Sequence, residues 1–307
     1  MGTIFRKLLI AAVIAVLILN WTWGRLPAEP PLPSGSKFAT AQGVKFHYVE
    51  TPGREPTVVM IHGHPGTYLD WKSVQEKLPG RRTIAIDRPG YGFSSGEYVP
   101  FDEQVTAIHA LTEQLNLKRP VIAGHSYGGT LALAYAQKYP RQTRAIVPVD
   151  PGVDPNGENP FNKLQAQLVK VLQLPVVQPI VNATFGQLML TATTDPQVKK
   201  AFEPDPTNPV YEEQLKAVNL KSSDLKTFAD EELDFGGVVD QLAEKYGSTR
   251  TPAWVIQGTG DKLVPTSAVE AMAGELPNAK YIALSGGHMQ TWVHSTQVAR
   301  AIQAAAR

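Results

Sequence analysis

No cysteine occurs anywhere in the 307 residues. That absence removes disulfides, thiolate nucleophiles, thiolate-bound zinc and lipidation on cysteine. It does not fix the compartment, because a large domain can be secreted without disulfides. Excess charge of either sign is also missing: 29 basic side chains face 28 acidic ones, for a net charge of +1. Such a balance argues against a nucleic-acid partner or a polybasic membrane patch. Beyond residue 38 there are no internal repeats and no low-complexity tracts. What is present is a chain that is 43% hydrophobic, with room for one large domain or two small ones.

The one long apolar run lies at the N-terminus. Arg6 and Lys7 precede Leu8 to Leu19, Trp21 and Trp23 follow, and then comes the proline-rich RLPAEPPLPSGS. A positive flank before an apolar run marks an export signal. A spanning helix needs roughly 20 residues, which Ile4 to Trp23 supplies if the two basic side chains snorkel. The tryptophans fit an interfacial belt, and no small-x-small cleavage pattern follows. We read residues 1–25 as a signal anchor, with a cleaved signal peptide as the alternative, and 26–37 as a proline-rich linker. The basic flank places the N-terminus in the cytoplasm and the rest on the extracytoplasmic side, periplasmic or extracellular. Cleavage would instead give a secreted protein.

Short apolar, β-branched runs recur after the linker: Lys45 to Val49, Thr57 to Ile61, Thr83 to Ile86, Val121 to Ala123, Ala145 to Val149, Ala253 to Ile256 and Lys280 to Leu284. Most are continuous, as in strands buried on both faces of a parallel sheet. Helical spacing between them, as in Gln104 to Leu115 and Thr130 to Tyr139, predicts a mostly parallel, doubly wound α/β sheet. The rhythm breaks between about Pro151 and Leu220, a stretch rich in Pro, Asn and Gln. It reads as a helical cap (151–220) inserted into a core made of 38–150 and 221–307.

Between the run at 121–123 and the helix from Thr130 lies Gly124-His125-Ser126-Tyr127-Gly128-Gly129. A G-x-S-x-G turn between strand and helix lifts a serine hydroxyl above the sheet edge, ahead of a helix N-terminus rich in free N–H groups. Serine needs a base, and the base an orienting group. His288, on the glycine-tipped loop ending YIALSGGH, is placed to be that base. His294 and His109 read as packing or surface residues. His125 flanks the serine but points away around the tight turn. The strand TVVMI ends in His62-Gly63-His64-Pro65-Gly66, where the backbone N–H of His64 and that of Tyr127 form a candidate oxyanion hole. His62 and His64 lack the further ligands a metal pair needs, so His62 reads as a hydrogen-bonding residue under the loop. No cofactor and no metal are expected.

The ordered set HGHPG, DRPGYGFSS (87–95), GHSYGG, GTGDKLVP (258–265) and GGH resembles the α/β-hydrolase superfamily from about residue 43 to the end. The resemblance implies Ser126 as nucleophile, Asp261 as acid and His288 as base, with the insertion as cap. HG-x-P with DRPG-x-G-x-S is most similar to the epoxide hydrolase, haloalkane dehalogenase and haloperoxidase-like branch. The first two use an aspartate where this chain has Ser126, so the expected chemistry is acyl transfer on a small-molecule ester, with a lipid-derived acyl group favoured by the anchor. Proline iminopeptidase-like cleavage, carbon–carbon bond hydrolysis and perhydrolysis use the same triad and stay open. A peptidase would need cap carboxylates for the substrate amine, with Glu203, Asp205, Glu212 and Glu213 as candidates. A non-catalytic binding module is disfavoured because every triad member is present. Asp150, at the end of AIVPVD, is the rival acid. Asp261 is preferred because it follows a Gly-Thr-Gly turn and because Lys-Leu-Val-Pro after it matches the family motif. Oligomeric state is not legible.

Overall fold

The computed structural model describes residues 30–96, 98–154, 198–219 and 222–307, with isolated positions 14, 18, 167, 171, 174 and 196. Eight strands form one sheet: β1 (Ser36–Ala41), β2 (Val44–Thr51), β3 (Arg54–Ile61), β4 (Arg81–Ile86), β5 (Val121–His125), β6 (Ala145–Val149), β7 (Ala253–Gly258) and β8 (Ala279–Leu284). Their order is β1-β2-β4-β3-β5-β6-β7-β8. The pairs β1/β2 and β2/β4 are antiparallel and the rest parallel. Each apolar run read from sequence is a strand here. The continuous runs are central: β5 and β6 are buried at every position, because helices cover both faces.

The helices are α1 (Lys72–Gln75), α2 (Phe101–Gln114), α3 (Tyr127–Lys138), α4 (Pro209–Asn219), α5 (Ser222–Ala243), α6 (Thr266–Glu275), α7 (Gln290–Val293) and α8 (Ser295–Ala305). One apolar cluster holds Ile84, Ile108, Leu131 and Val255 on one side of the sheet; another holds Met60, Trp71, Ala123 and Ile302 on the other.

The sequence reading missed β1, which begins at Ser36, inside the stretch read as linker. SKFATA offers no continuous apolar run, since an edge strand buries little. Its register is set by the turn Gln42-Gly43, where both residues have positive φ (49° and 77°), the geometry of a two-residue hairpin. A side-chain clasp adds to this: Ser36 Oγ meets His47 Nε2 at 2.9 Å, and His47 Nδ1 meets Asp87 Oδ2 at 2.7 Å. These are triad residue types, but His47 is fully buried against Phe38, Tyr68 and Phe93, and the clasp ties the edge strand to the end of β4.

Among the described residues, no strand lies between β6 and β7. Most of the predicted cap, and all of the predicted anchor at 1–25 except positions 14 and 18, lie outside the described residues. Among those described, no helix is long and apolar enough to cross a membrane.

Candidate active site

Ser126 sits between β5 and α3 with φ 53° and ψ −121°, a backbone conformation costly for a residue with a side chain. The surroundings enforce it. A Cβ on Gly124 would lie 1.9 Å from the Gly128 carbonyl oxygen, and one on Gly128 would lie 2.3 Å from the Ile61 carbonyl oxygen. Strand β5, helix α3 and strand β3 therefore approach as closely as backbones can. The Ser126 N–H is bonded to the Val149 carbonyl at 2.9 Å, which fixes the turn to β6. Among residues 121–136, Ser126 alone is not buried: the turn presents one hydroxyl and hides everything else.

His288 stands at this turn. Its carbonyl accepts from His125 Nε2 at 2.9 Å, and the two imidazole rings are 5.1 Å apart. Its Nδ1 donates to Asp261 Oδ2 at 2.7 Å. A carboxylate cannot donate, so the proton is on Nδ1 and Nε2 is left as the basic atom. The loops carrying the two residues are joined by the Thr259 N–H to the Leu284 carbonyl and the Gly260 N–H to the Gly286 carbonyl, both at 2.8 Å. Asp261 Oδ1 accepts from the N–H groups of Leu263 (2.7 Å) and Val264 (3.0 Å), and Oδ2 also from Gln257 Nε2 (3.0 Å). Burial alone would raise its pKa, but His288 and the Val264 and Leu263 N–H groups outweigh burial and hold it below the usual carboxylate range.

Asp150, the rival, faces elsewhere. Its carboxylate accepts from the Gly258 N–H at 2.7 Å and the Gln290 N–H at 3.4 Å, which joins β6 to β7 and to the start of α7. Burial first, then the charge of Asp261, pushes its pKa well above the carboxylate range.

The loop after β3 lies over Ser126. Among the described residues, neither the His64 nor the Tyr127 N–H has a protein hydrogen-bond partner, and Tyr127 is the first residue of α3, where N–H groups have no intrahelical acceptor. His62 is fully buried, donating from Nδ1 to the Gly63 carbonyl (2.8 Å) and accepting at Nε2 from the Arg88 N–H (2.9 Å). It is thus the hydrogen-bonding residue under the loop. Burial and then Arg88 lower its pKa well below the usual imidazole value. Among the described residues there is no group of three or more side chains able to hold a metal ion. His109 stacks on Tyr139 with centroids 3.7 Å apart, and His294 Nε2 meets Ser285 Oγ at 3.3 Å.

Two buried charge pairs were not legible in the sequence. Arg88 binds the Glu231 carboxylate with both terminal nitrogens (3.0 Å for Nη2), and Nη2 also donates to the Gly63 carbonyl at 2.8 Å. Tyr91 and Gln104 complete the shell of Glu231. Removing one partner of such a pair strands the other charge in the interior, at a cost of about 3–5 kcal/mol. The pair therefore fastens α5 to the loop after β3. The second pair is His125 with Asp70, Nδ1 to Oδ2 at 3.1 Å. Of the carboxylates named as amine-binding candidates, Asp205 accepts instead from the Gly287 N–H at 3.2 Å, and Glu213 is exposed. Among the described residues, the carboxylates nearest His64 are those of Glu231 and Glu232, at 3.6 and 3.8 Å.

A family model described as alpha/beta hydrolase fold matches residues 56–295, more than half of the chain, and the protein belongs to that family of hydrolases. A hydrolase of 2-hydroxy-6-oxononadienedioate and 2-hydroxy-6-oxononatrienedioate from Pseudomonas putida is 23% identical over 275 residues, covering 85% of this chain and 93% of its own. The enol-lactonase of Burkholderia xenovorans LB400 superposes with a TM-score of 0.72 at 17% identity, covering 88% of this chain and 99% of its own. A thermophilic esterase from Thermogutta terrifontis does so with a TM-score of 0.66 at 20% identity, covering 88% and 97%.

Proposed function

We propose that the protein is a serine hydrolase of carboxylic esters. The observation that carries this reading is the 2.7 Å Asp261–His288 contact beside a serine held by its turn at φ 53°. His288 Nε2 takes the proton as Ser126 Oγ attacks the ester carbonyl. The His64 and Tyr127 N–H groups donate to the oxyanion, each worth about 100- to 1,000-fold in rate. His288, now an imidazolium facing Asp261, gives its proton to the departing alcohol. Water activated by the same Nε2 then hydrolyses the acyl-enzyme. These steps use only groups of the chain itself.

Serine at the elbow favours acyl transfer over dehalogenation or epoxide opening, which in the similar branch proceed through an aspartate. A second reading, carbon–carbon bond hydrolysis on the same triad, is favoured by the likeness to the oxo-dienedioate hydrolase. Against it, the arginine beneath the oxyanion loop is already neutralised by Glu231, which suits an uncharged acyl chain better than a dicarboxylate. The test is a turnover profile over p-nitrophenyl esters of rising chain length, proline anilides and 2-hydroxy-6-oxo dienoic acids. Esters are expected to give the highest kcat/KM by at least tenfold; preference for either other class reassigns the reaction.

The reading extends to location. Residues 1–25 anchor the enzyme in a membrane with the catalytic domain on the extracytoplasmic side, so that lipid-derived esters partition nearby. The support is the spanning-length apolar run with flanking tryptophans and no cleavage pattern. Mass spectrometry of membrane-extracted protein should find the native N-terminus; a soluble chain beginning near Glu29 would show the segment to be a signal peptide.

A further inference from the structure

Asp70 is 1% exposed and takes donors from three separate parts of the chain. Oδ2 accepts from the Gly63 N–H at 2.9 Å and from His125 Nδ1 at 3.1 Å; Oδ1 accepts from the Tyr211 hydroxyl at 2.8 Å. His125 directs its other nitrogen to the His288 carbonyl at 2.9 Å. Both partners are oxygens that carry no hydrogen, so both ring nitrogens donate and the ring is an imidazolium facing a carboxylate. The electrostatics agree. Burial alone would lower the pKa of His125 and raise that of Asp70, yet each partner overrides burial in the other, so His125 is raised and Asp70 lowered. Burial and then the charge of Asp70 push the Tyr211 hydroxyl well above the phenol range, which keeps it a donor.

A buried hydrogen-bond line thus runs from helix α4 to the main chain of His288. The other side of the His288 loop is held by the segment leading into α4: the His288 N–H donates to the Ala201 carbonyl at 2.8 Å, and the Gly287 N–H to Asp205 Oδ2 at 3.2 Å. Asp261 orients the His288 ring, but it does not hold the His288 peptide.

The geometry points to Tyr211, Asp70 and His125 as positioning residues, through which docking of α4 holds His288 within reach of Ser126 and holds the Gly63 turn beside it. The inference rests on Ser126 and His288 being nucleophile and base. It makes α4 part of the catalytic register and not only a cover: a hydrolase whose α4 is lifted has its triad residues but a displaced base.

Tyr211→Phe in the full chain is the direct test. The ring keeps its packing against Phe202 and Trp292, with centroids 5.7 and 5.1 Å away, and only the donor is lost. With the variant assayed well below its Tm, so that all molecules are folded, kcat and the rate of fluorophosphonate labelling at Ser126 should both fall about tenfold, the effect of one hydrogen bond to a charged group. KM should stay within about twofold, a split that loss of stability alone does not produce. Asp70→Asn should lower kcat further, and adding Tyr211→Phe to it should cost little more, because both act on one line. Tyr211→Phe with kcat and labelling within about twofold of wild type, or a double variant showing the full product of the two single losses, would overturn the relay. Ser126→Ala in the same series separates the claims: labelling that survives there removes the nucleophile assignment, whereas labelling lost there but insensitive to Tyr211→Phe removes the relay alone.

Discussion

Ser126→Ala is expected to abolish labelling by a fluorophosphonate and to lower ester turnover by on the order of 10⁶, the loss seen when a serine hydrolase loses its nucleophile. The expectation follows from the turn. At φ 53° and ψ −121° the Ser126 backbone is strained, and no packing or capping role explains that strain, since its side chain makes no cap hydrogen bond to α3. Alanine can occupy the same backbone, so the fold should persist and the loss should appear in kcat. A residue of activity should remain if, as proposed, the His64 and Tyr127 N–H groups polarise a bound carbonyl. Labelling of the alanine variant at another hydroxyl would refute the assignment.

Asp261→Asn should cut turnover by about 10⁴, while Asp150→Asn costs less than about tenfold. The structure predicts which way the new amide turns. Asp261 Oδ1 is held by the Leu263 and Val264 N–H groups, so the amide oxygen stays there. The NH₂ then replaces Oδ2, facing His288 Nδ1 and Gln257 Nε2. An amide that donates to Nδ1 places the ring proton on Nε2, and the base is lost with the geometry intact. At Asp150 the strong contact is the one from the Gly258 N–H at 2.7 Å, which an amide oxygen accepts equally well. Burial and the charge of Asp261 already favour the neutral acid there, and asparagine is its neutral counterpart. Steady-state kinetics on the two variants, each checked for folding by circular dichroism, give the ranking. The reverse order would transfer the acid's role to Asp150 while leaving Ser126 and His288 in place.

The elements that carry these residues were legible because their signals are local. A continuous β-branched run such as AIVPV has few alternatives to a strand buried on both faces, and glycines at 124 and 128 are demanded by contacts within a few residues of the serine or with the adjacent strand. β1 was not legible, because an edge strand needs no apolar run and its pairing is dictated by the Gln42-Gly43 turn. Distance was the other obstacle. Arg88 and Glu231 lie 143 positions apart, and Asp70 and Tyr211 lie 141 apart. No periodicity or spacing links such residues. Each in isolation reads as one more charged or aromatic side chain on an amphipathic stretch.

By itself, then, the sequence determined seven of the eight strands, the elbow that presents Ser126, and the glycine-flanked loops bearing Asp261 and His288, because hydrophobic periodicity and backbone sterics act over a handful of residues. Only the tertiary structure decided which carboxylate holds His288 and that Asp150 is turned instead to β7 and α7. It alone showed His125, beside Ser126, to be paired with the buried Asp70. Those outcomes depend on which charges are buried together. Burial penalises an unpaired charge heavily enough to select its partner, but that penalty exists only once distant segments have packed and excluded water.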